Sequence, residues 1–234
     1  MIYYNQLPLS EGILQALSLL EIDYVFQPIF LADGKTIYAR EALMRPHGTT
    51  VTELINEYSE LGQLHILEVA TFFGAVQAYL LRGYEEKISI NSFPSECFTV
   101  EEGKAFDDYF GDLHGKFIIE LLEYPELILD KWLTKHNTTI AMGNIVALDD
   151  YGVGINDMGK VRLIEPGIVK IDRSLISDID VDEAKQENCR ELVEIFHKMN
   201  KKVVAEGIER KEEFDFLVDL GFDYFQGYYL GRPM

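Results

Sequence analysis

A closed α/β barrel of eight strands, mainly parallel, is the fold class this sequence predicts, and three observations predict it. Short apolar runs alternate with longer amphipathic stretches from one end of the 234 residues to the other, the pattern of strands joined by crossover helices. Eight such runs can be counted, the strand number of a (β/α)8, TIM-type barrel, and the length suits one domain of that kind. No Pro/Gly/Ser-rich linker or low-complexity block interrupts them, so one domain over residues 1–234 is simpler than two.

The elements follow in order. The first run, YVFQPIF (24–30), and the second, TIYAREAL (36–43), are separated by LADGKT, in which Asp33-Gly34 is a strong short-range hairpin signal. The first strand is therefore expected to run antiparallel to its neighbour. The helical pattern LHILEVATFFGAVQAYLLRG (64–83) leads to KISIN (87–91), and the apolar runs KFIIEL (116–121), NIVALD (144–149) and GIVKI (167–171) come next. VDEAKQENCRELVEIFHKMN (181–200) reads as the helix before KVVAE (202–206). RKEEFDFLVDLG (210–221), with a glycine where a helix C-terminus wants one, precedes YFQGY (224–228).

Composition narrows the function. With 21 basic against 40 acidic residues the formal net charge is -19, which argues against a phosphate-gripping surface and hence against DNA or RNA as a partner; an anionic substrate needs local cations. Cys97 and Cys189 make neither a disulfide framework nor a zinc site, as expected of a reducing compartment. MIYYNQLPLSEG lacks the basic and apolar regions of a leader, and no 18-residue stretch is free of charge, so the expected setting is cytoplasmic, without membrane insertion.

From the second strand on, each run ends in a polar side chain: Glu41, Asn91, Glu120, Asp149 with Asp150, Lys170, Glu206 and Gln226. In a barrel these ends converge on one face, where active sites lie. Taken singly, each has a plain reading: acids cap helices, a lysine snorkels, amides bond turns. As a set they place five carboxylates in one pocket, and like charges that close need a cation. All donors are oxygens and the five histidines lie off the strand ends, which suits Mg²⁺, Mn²⁺ or Ca²⁺ rather than zinc or iron. Adjacent carboxylates such as Asp149 and Asp150 can serve two ions, the arrangement that clamps a phosphoryl displacement. Lys170 fits as a charge beside the attacking water, and Arg45 as a bidentate phosphate grip.

These residues, in the order FQPIF, EALMRP, SINSFP, IELLE, ALDDYGVG, VKIDRSLI, VVAEGIE and FQGYYLGRP, resemble the EAL domain family of bacterial cyclic di-GMP phosphodiesterases over nearly the whole chain. The resemblance implies a (β/α)8 barrel with one antiparallel strand and hydrolysis of cyclic di-GMP to linear pGpG with two Mg²⁺ or Mn²⁺ ions. It implies Glu41, Asn91, Glu120, Asp149, Asp150 and Glu206 as the metal set, and Lys170, Glu206 and Glu41 as the catalytic residues. Gln27, Arg45 and Gln226 are implied substrate contacts, and Glu123 and Glu209 loop-stabilising acids. In the family the loop after the aspartates couples dimerisation to metal binding, so a homodimer is among the implied assemblies. That loop reads DYGVGINDM against a usual DFGTGYSS, Leu122 stands where threonine is typical, and HGTTVTELINEYSELGQ replaces a longer substrate-flanking loop. A nucleotide receptor without turnover and an enolase-like barrel enzyme are the competing classes; the complete ligand set weighs against the first and the motif order against the second.

Overall fold

The structure is a computed structural model and describes residues 7, 9–18, 20–123 and 127–234; most of the N-terminal stretch read above for a leader lies outside the described residues. Eight strands close into one barrel in chain order: β1 (Ile22–Phe30), β2 (Ile37–Pro46), β3 (Lys87–Ser92), β4 (Phe117–Leu121), β5 (Ile145–Tyr151), β6 (Ile168–Ile171), β7 (Lys202–Ala205) and β8 (Tyr224–Phe225). β1 runs antiparallel to both β2 and β8, and every other neighbouring pair is parallel, as expected from the alternating pattern and the hairpin signal. The turn is looser than a two-residue hairpin. Residues 31–36 connect the strands, with the Asp33 carboxylate accepting from the backbone N–H of Lys35 (2.9 Å) and Thr36 (2.8 Å) and Gly34 at φ +62°.

Nine helices are seen among the described residues: α1 (Glu11–Leu17), α2 (Val51–Glu60), α3 (Leu64–Leu81), α4 (Val100–Phe110), α5 (Leu129–Ala141), α6 (Met158–Ile164), α7 (Arg173–Ile176), α8 (Glu183–Lys198) and α9 (Lys211–Leu220). The segment HGTTVTELINEYSELGQ, read above as a shortened loop, contains α2. Its start is set by a capping box in which Thr50 accepts from the Glu53 N–H and Glu53 reaches back to the Thr50 N–H. Thr99 and Glu102 do the same for α4. α3 is long and apolar enough to cross a membrane by length and composition, yet 67% of that stretch is buried here. Its Phe73 packs against Phe98, Phe106 and Phe110 in the main core between the barrel and its helices.

The alternation of side chains across a strand positions the site. Ile29, Ala39, Ile118, Ala147, Ile168 and Val204 form an apolar plug contributed by six different strands. Two residues further toward one mouth, Gln27, Glu41, Glu120, Asp149 and Lys170 follow on the same strands and Glu206 just past β7, with β1 counted backwards because it is antiparallel. Asn91 and Gln226 complete this layer from β3 and just past β8. Glu41 lies in the middle of β2 rather than at its end. β2 pairs with β3 only as far as Ala42, then continues to Pro46 against β1 as a two-stranded ribbon. Glu41 therefore stands at the carboxyl edge of the barrel proper, while β2 overhangs it.

Candidate active site

Lys170 is the hub of the mouth. Its ammonium stands 2.7 Å from Glu206, 2.8 Å from Glu120, 2.9 Å from Asp149 and 3.6 Å from Glu41, and the residue is 1% exposed. Only Glu120 Oε2 receives a well-aligned hydrogen bond from it. Asp149 Oδ1, buried and close to the ammonium, has no hydrogen-bond partner, so that contact is Coulombic alone. Glu41 is held by two amides, with Asn91 Nδ2 donating to its Oε1 at 3.2 Å and Gln226 Nε2 to its Oε2 at 2.6 Å. Four carboxylates, two amides and one lysine, from five strands and the residues just past β7 and β8, are thus brought together.

Asp150 required a break in the sheet. Neighbours on a regular strand point to opposite faces, so Asp149 and Asp150 could not both reach the mouth from an unbroken β5. The pairing of β5 with β6 shifts register between Leu148 and Tyr151, and Asp150 takes φ +47°, a left-handed conformation that costs a non-glycine residue about 1–2 kcal/mol. As a result, oxygens of Asp149, Asp150 and Glu206 lie within 4.8 Å of one another. The loop beyond is fastened from two sides. Asn156, buried, donates from Nδ2 to the Asp149 carbonyl at 2.8 Å, and Glu123 Oε1 accepts from the Ile155 N–H at 3.1 Å. Gly154, at φ +52°, has the Glu123 carboxylate where a Cβ would stand, so glycine is dictated there both by backbone and by space.

Burial and mutual repulsion raise the acids. Burial, then Glu41, pushes Glu120 up to about 8 despite Lys170. Burial also lifts Glu206 well above the carboxylate range, and burial with the Asp149 charge lifts Asp150 to about 6. Burial pulls the Lys170 ammonium down, but Asp149, Glu120, Glu206 and Glu41 together outweigh it and hold the proton. The cluster is short of positive charge, and one lysine does not supply enough.

The remaining predicted residues are placed as follows. Gln27 sits opposite Glu41 across the β1–β2 ladder, its Nε2 donating to the Gly231 carbonyl at 3.2 Å. Arg45 is exposed on the overhang of β2 and donates to the Met44 carbonyl at 2.8 Å, away from the lysine hub. It lines, with Glu41, Asn91, Met44 and Phe93, a cavity of about 260 Å³. Glu209 pairs with Arg173 at the start of α7, outside the cluster. Two residues were missed by sequence reasoning. Ser89 Oγ, fully buried, donates to Glu120 Oε1 and fixes that carboxylate from the side opposite Lys170. Its position two residues before Asn91, on the same face of the strand between Ile88 and Ile90, was the available signal. Asn156, read as a departure in the loop, is its internal brace, and an asparagine two residues after Gly154 in a loop that also carries Gly152 was the cue.

Oxygen donors and one lysine at the carboxyl-terminal mouth of an eight-stranded barrel define a class: a barrel with an acidic cluster that could hold hard cations, at the face where barrel enzymes do their chemistry. The profile of the EAL domain family matches residues 10–233, and the chain belongs to that family. A probable cyclic di-GMP phosphodiesterase of Escherichia coli (strain K12), PdeG, is 27% identical over 99% of this chain and 48% of its own length, so the chain spans about half of that relative. Among solved structures, a standalone versatile EAL protein from Vibrio cholerae O395, in its c-di-GMP bound form, superposes with a TM-score of 0.82 at 23% identity, covering 92% of each chain. Klebsiella pneumoniae BlrP1, a manganese/cy-diGMP complex, superposes with a TM-score of 0.77 at 23% identity, covering 91% of this chain and 56% of that one. At these identities the two structures bear on the fold.

Proposed function

We propose that this chain hydrolyses cyclic di-GMP to linear pGpG in a reaction dependent on Mg²⁺ or Mn²⁺. The observation that carries the reading is charge. Glu41, Glu120, Asp149, Asp150 and Glu206 set five carboxylates against the single ammonium of Lys170, leaving four negative charges when all are ionised, the charge of two divalent cations. The residues fit such ions: the donors are hard oxygens, Asp149 Oδ1 is buried without a hydrogen bond, and three carboxylates converge. Glu41, Asn91, Glu120, Asp149, Asp150 and Glu206 would hold them. The relative named above and the nucleotide-bound neighbours support the substrate.

When bound, the cations supply Lewis acidity to the phosphodiester and make water nucleophilic near neutral pH. Lys170, kept protonated, orients that water and stabilises the charge that grows on the phosphate. Glu206, once ionised, takes the proton of the attacking water, and its Oε1 is held 2.7 Å from Lys170 Nζ. Gln226 and Asn91 fix the Glu41 carboxylate, Gln27 and Gln226 face the nucleotide, and Arg45 turns from the Met44 carbonyl to a phosphate oxygen. Glu123 and Glu209 hold the flanking loops. The cavity beside Glu41, about 260 Å³, is smaller than the roughly 300–1,000 Å³ of typical ligand pockets, so the nucleotide extends across the open mouth. The reading carries a cytoplasmic setting, consistent with Cys97 and Cys189 both being free thiols. It also carries association with a second copy, supported by exposed Leu129, Leu133 and Ile140, which share one face of α5.

Incubating the protein with cyclic di-GMP and Mn²⁺, with and without chelator, tests the reading. pGpG formed only with the metal is the expected result. Tight nucleotide binding with no product would replace the enzyme by a receptor, and neither binding nor product would end both.

A further inference from the structure

A second pair of buried opposite charges lies outside the barrel wall, behind β3. Glu68 of α3 and Lys135 of α5 meet at 2.7 Å and are 1% and 8% exposed. Between them they hold the backbone and side chain where β3 leaves the sheet. Lys135 Nζ donates to Ser92 Oγ at 2.6 Å and to the Phe93 carbonyl at 2.7 Å. Ser92 Oγ donates to Glu68 Oε1 at 2.7 Å, and the Phe93 N–H to Glu68 Oε2 at 3.0 Å. The charges of the pair face each other and the groups they bind.

Such a pair is an expensive way to fill a helix–sheet interface, because taking two ions out of water offsets most of their attraction, and apolar residues of similar volume are often as stable or more so. The pair stands at the wall of a cavity of about 460 Å³ that Phe72, Phe98 and Phe106 also line, so apolar side chains at these two positions would have rings to pack against. What an ion pair supplies and an apolar pair does not is direction. Ser92 and Asn91 are neighbours on one strand and point to opposite faces. A clamp on Ser92 from outside therefore fixes the rotation of the peptide that carries Asn91 inside, where Asn91 Nδ2 donates to Glu41 Oε1. The same clamp holds Phe93, which shares the cavity wall with Asn91 and Glu41.

We propose that Glu68 and Lys135 are positioning residues for the mouth: from behind the wall they fix the end of β3, and through it the Asn91 carboxamide and the Phe93 ring. The proposal rests on the phosphodiesterase reading in taking Asn91 as part of the cation set. Residues that orient ligands from behind change metal affinity or activity by about 10–100-fold when lost, and Lys135 belongs to that kind.

The test is a double-mutant cycle of Lys135→Met with Asn91→Ala, read by Mn²⁺ affinity in calorimetry and by kcat and KM for cyclic di-GMP. Lys135→Met is expected to weaken Mn²⁺ binding and lower kcat about tenfold, with KM held within a factor of about three, and to add nothing in the Asn91→Ala background. Losses that simply multiply would overturn the proposal, since a merely structural lysine acts independently of Asn91. Should Lys135→Met fail to fold, Glu68→Met with Lys135→Met leaves no unpaired buried charge; it is expected to melt above either single variant and still to show the loss. A crystal structure of the folded variant separates the two readings. Asn91 displaced from Glu41 supports positioning even if the wild type makes no pGpG, and an unchanged Asn91–Glu41 contact sinks positioning while leaving a working phosphodiesterase intact.

Discussion

Cation binding to this mouth should release protons and tighten steeply between pH 6 and 8. Glu120 is pushed up to about 8 by burial and by Glu41, and Glu206 lies well above the carboxylate range for the same kind of reason. A carboxyl with a pKa near 8 is about 1% ionised at pH 6 and half ionised at pH 8. Since a carboxylate must lose its proton to bind a metal, affinity through Glu120 should rise by a few tens of fold over that interval, roughly 2 kcal/mol. Glu206 makes the rise steeper. The sign for stability is opposite in the absence of metal. An acid whose folded pKa is raised binds more protons folded than unfolded, so the metal-free protein loses stability as pH climbs from the ordinary glutamate value toward 8, by up to about 1.4 kcal/mol per unit for one such group. Calorimetric titration of Mn²⁺ under nitrogen at pH 6, 7 and 8, in buffers of different ionisation enthalpy, gives both the affinity and the protons released. A dissociation constant constant within threefold over this range, with no proton release, would refute the account of a cluster starved of positive charge.

Three further outcomes are expected. Lys170→Met should cut kcat by about 10²–10⁴ with KM changed only a few-fold, and a loss confined to KM would contradict its assigned role. Gly154→Ala, placing a Cβ on the Glu123 carboxylate at φ +52°, should cost about 1–3 kcal/mol and lower the melting temperature by roughly 2–4 °C for each kcal/mol; an unchanged melting curve would show that the loop relaxes freely. His65 is raised above its ordinary value, chiefly by its hydrogen bond to Glu102 at 2.9 Å. Its contribution is fully present below the unfolded value and is lost as pH rises through the folded one. His65→Ala should therefore destabilise more at pH 5.5 than at pH 8.5, by under about 1 kcal/mol at this partly exposed pair, and equal costs at the two values would remove the link.

Much of the fold was legible because strand periodicity and hairpin chemistry are local. The apolar runs placed all eight strands, and Asp33-Gly34 gave the antiparallel one, although the loop came out as a six-residue turn built on the Asp33 side chain. The residues of the mouth were legible for a related reason. A polar side chain one pleat beyond an apolar plug stands out in a strand that is otherwise hydrophobic on both faces, as Lys170 does in IVKI and Glu120 in FIIEL. What sequence could not show was anything requiring two distant segments at once. The overhang of β2 depends on how far β1 pairs with it, the backbone break that turns both Asp149 and Asp150 to the mouth depends on a register shift against β6, and the clamp on Ser92 joins α3 to α5. The capping boxes at Thr50 and Thr99 were local and could have been read.

The strained pair Asp149–Asp150 shows why this mouth is built against its own stability. A regular β5 would have sent Asp150 to the helix side, avoided the left-handed backbone at φ +47°, and left one carboxylate fewer beside Lys170. Each of those alternatives favours the metal-free fold. The observed arrangement sets Asp150 against the Asp149 charge with only Lys170 to offset it, and it is maintained by groups that do no chemistry themselves: the Asn156 carboxamide on the Asp149 carbonyl, Glu123 on the Ile155 N–H, and the glycine that leaves Glu123 room. Strain held in place by several independent contacts is the signature of a site whose working state includes a partner. On the reading proposed above that partner is a cation, because the alternative way of relieving the uncompensated charge is to leave Glu120, Glu206 and Asp150 protonated.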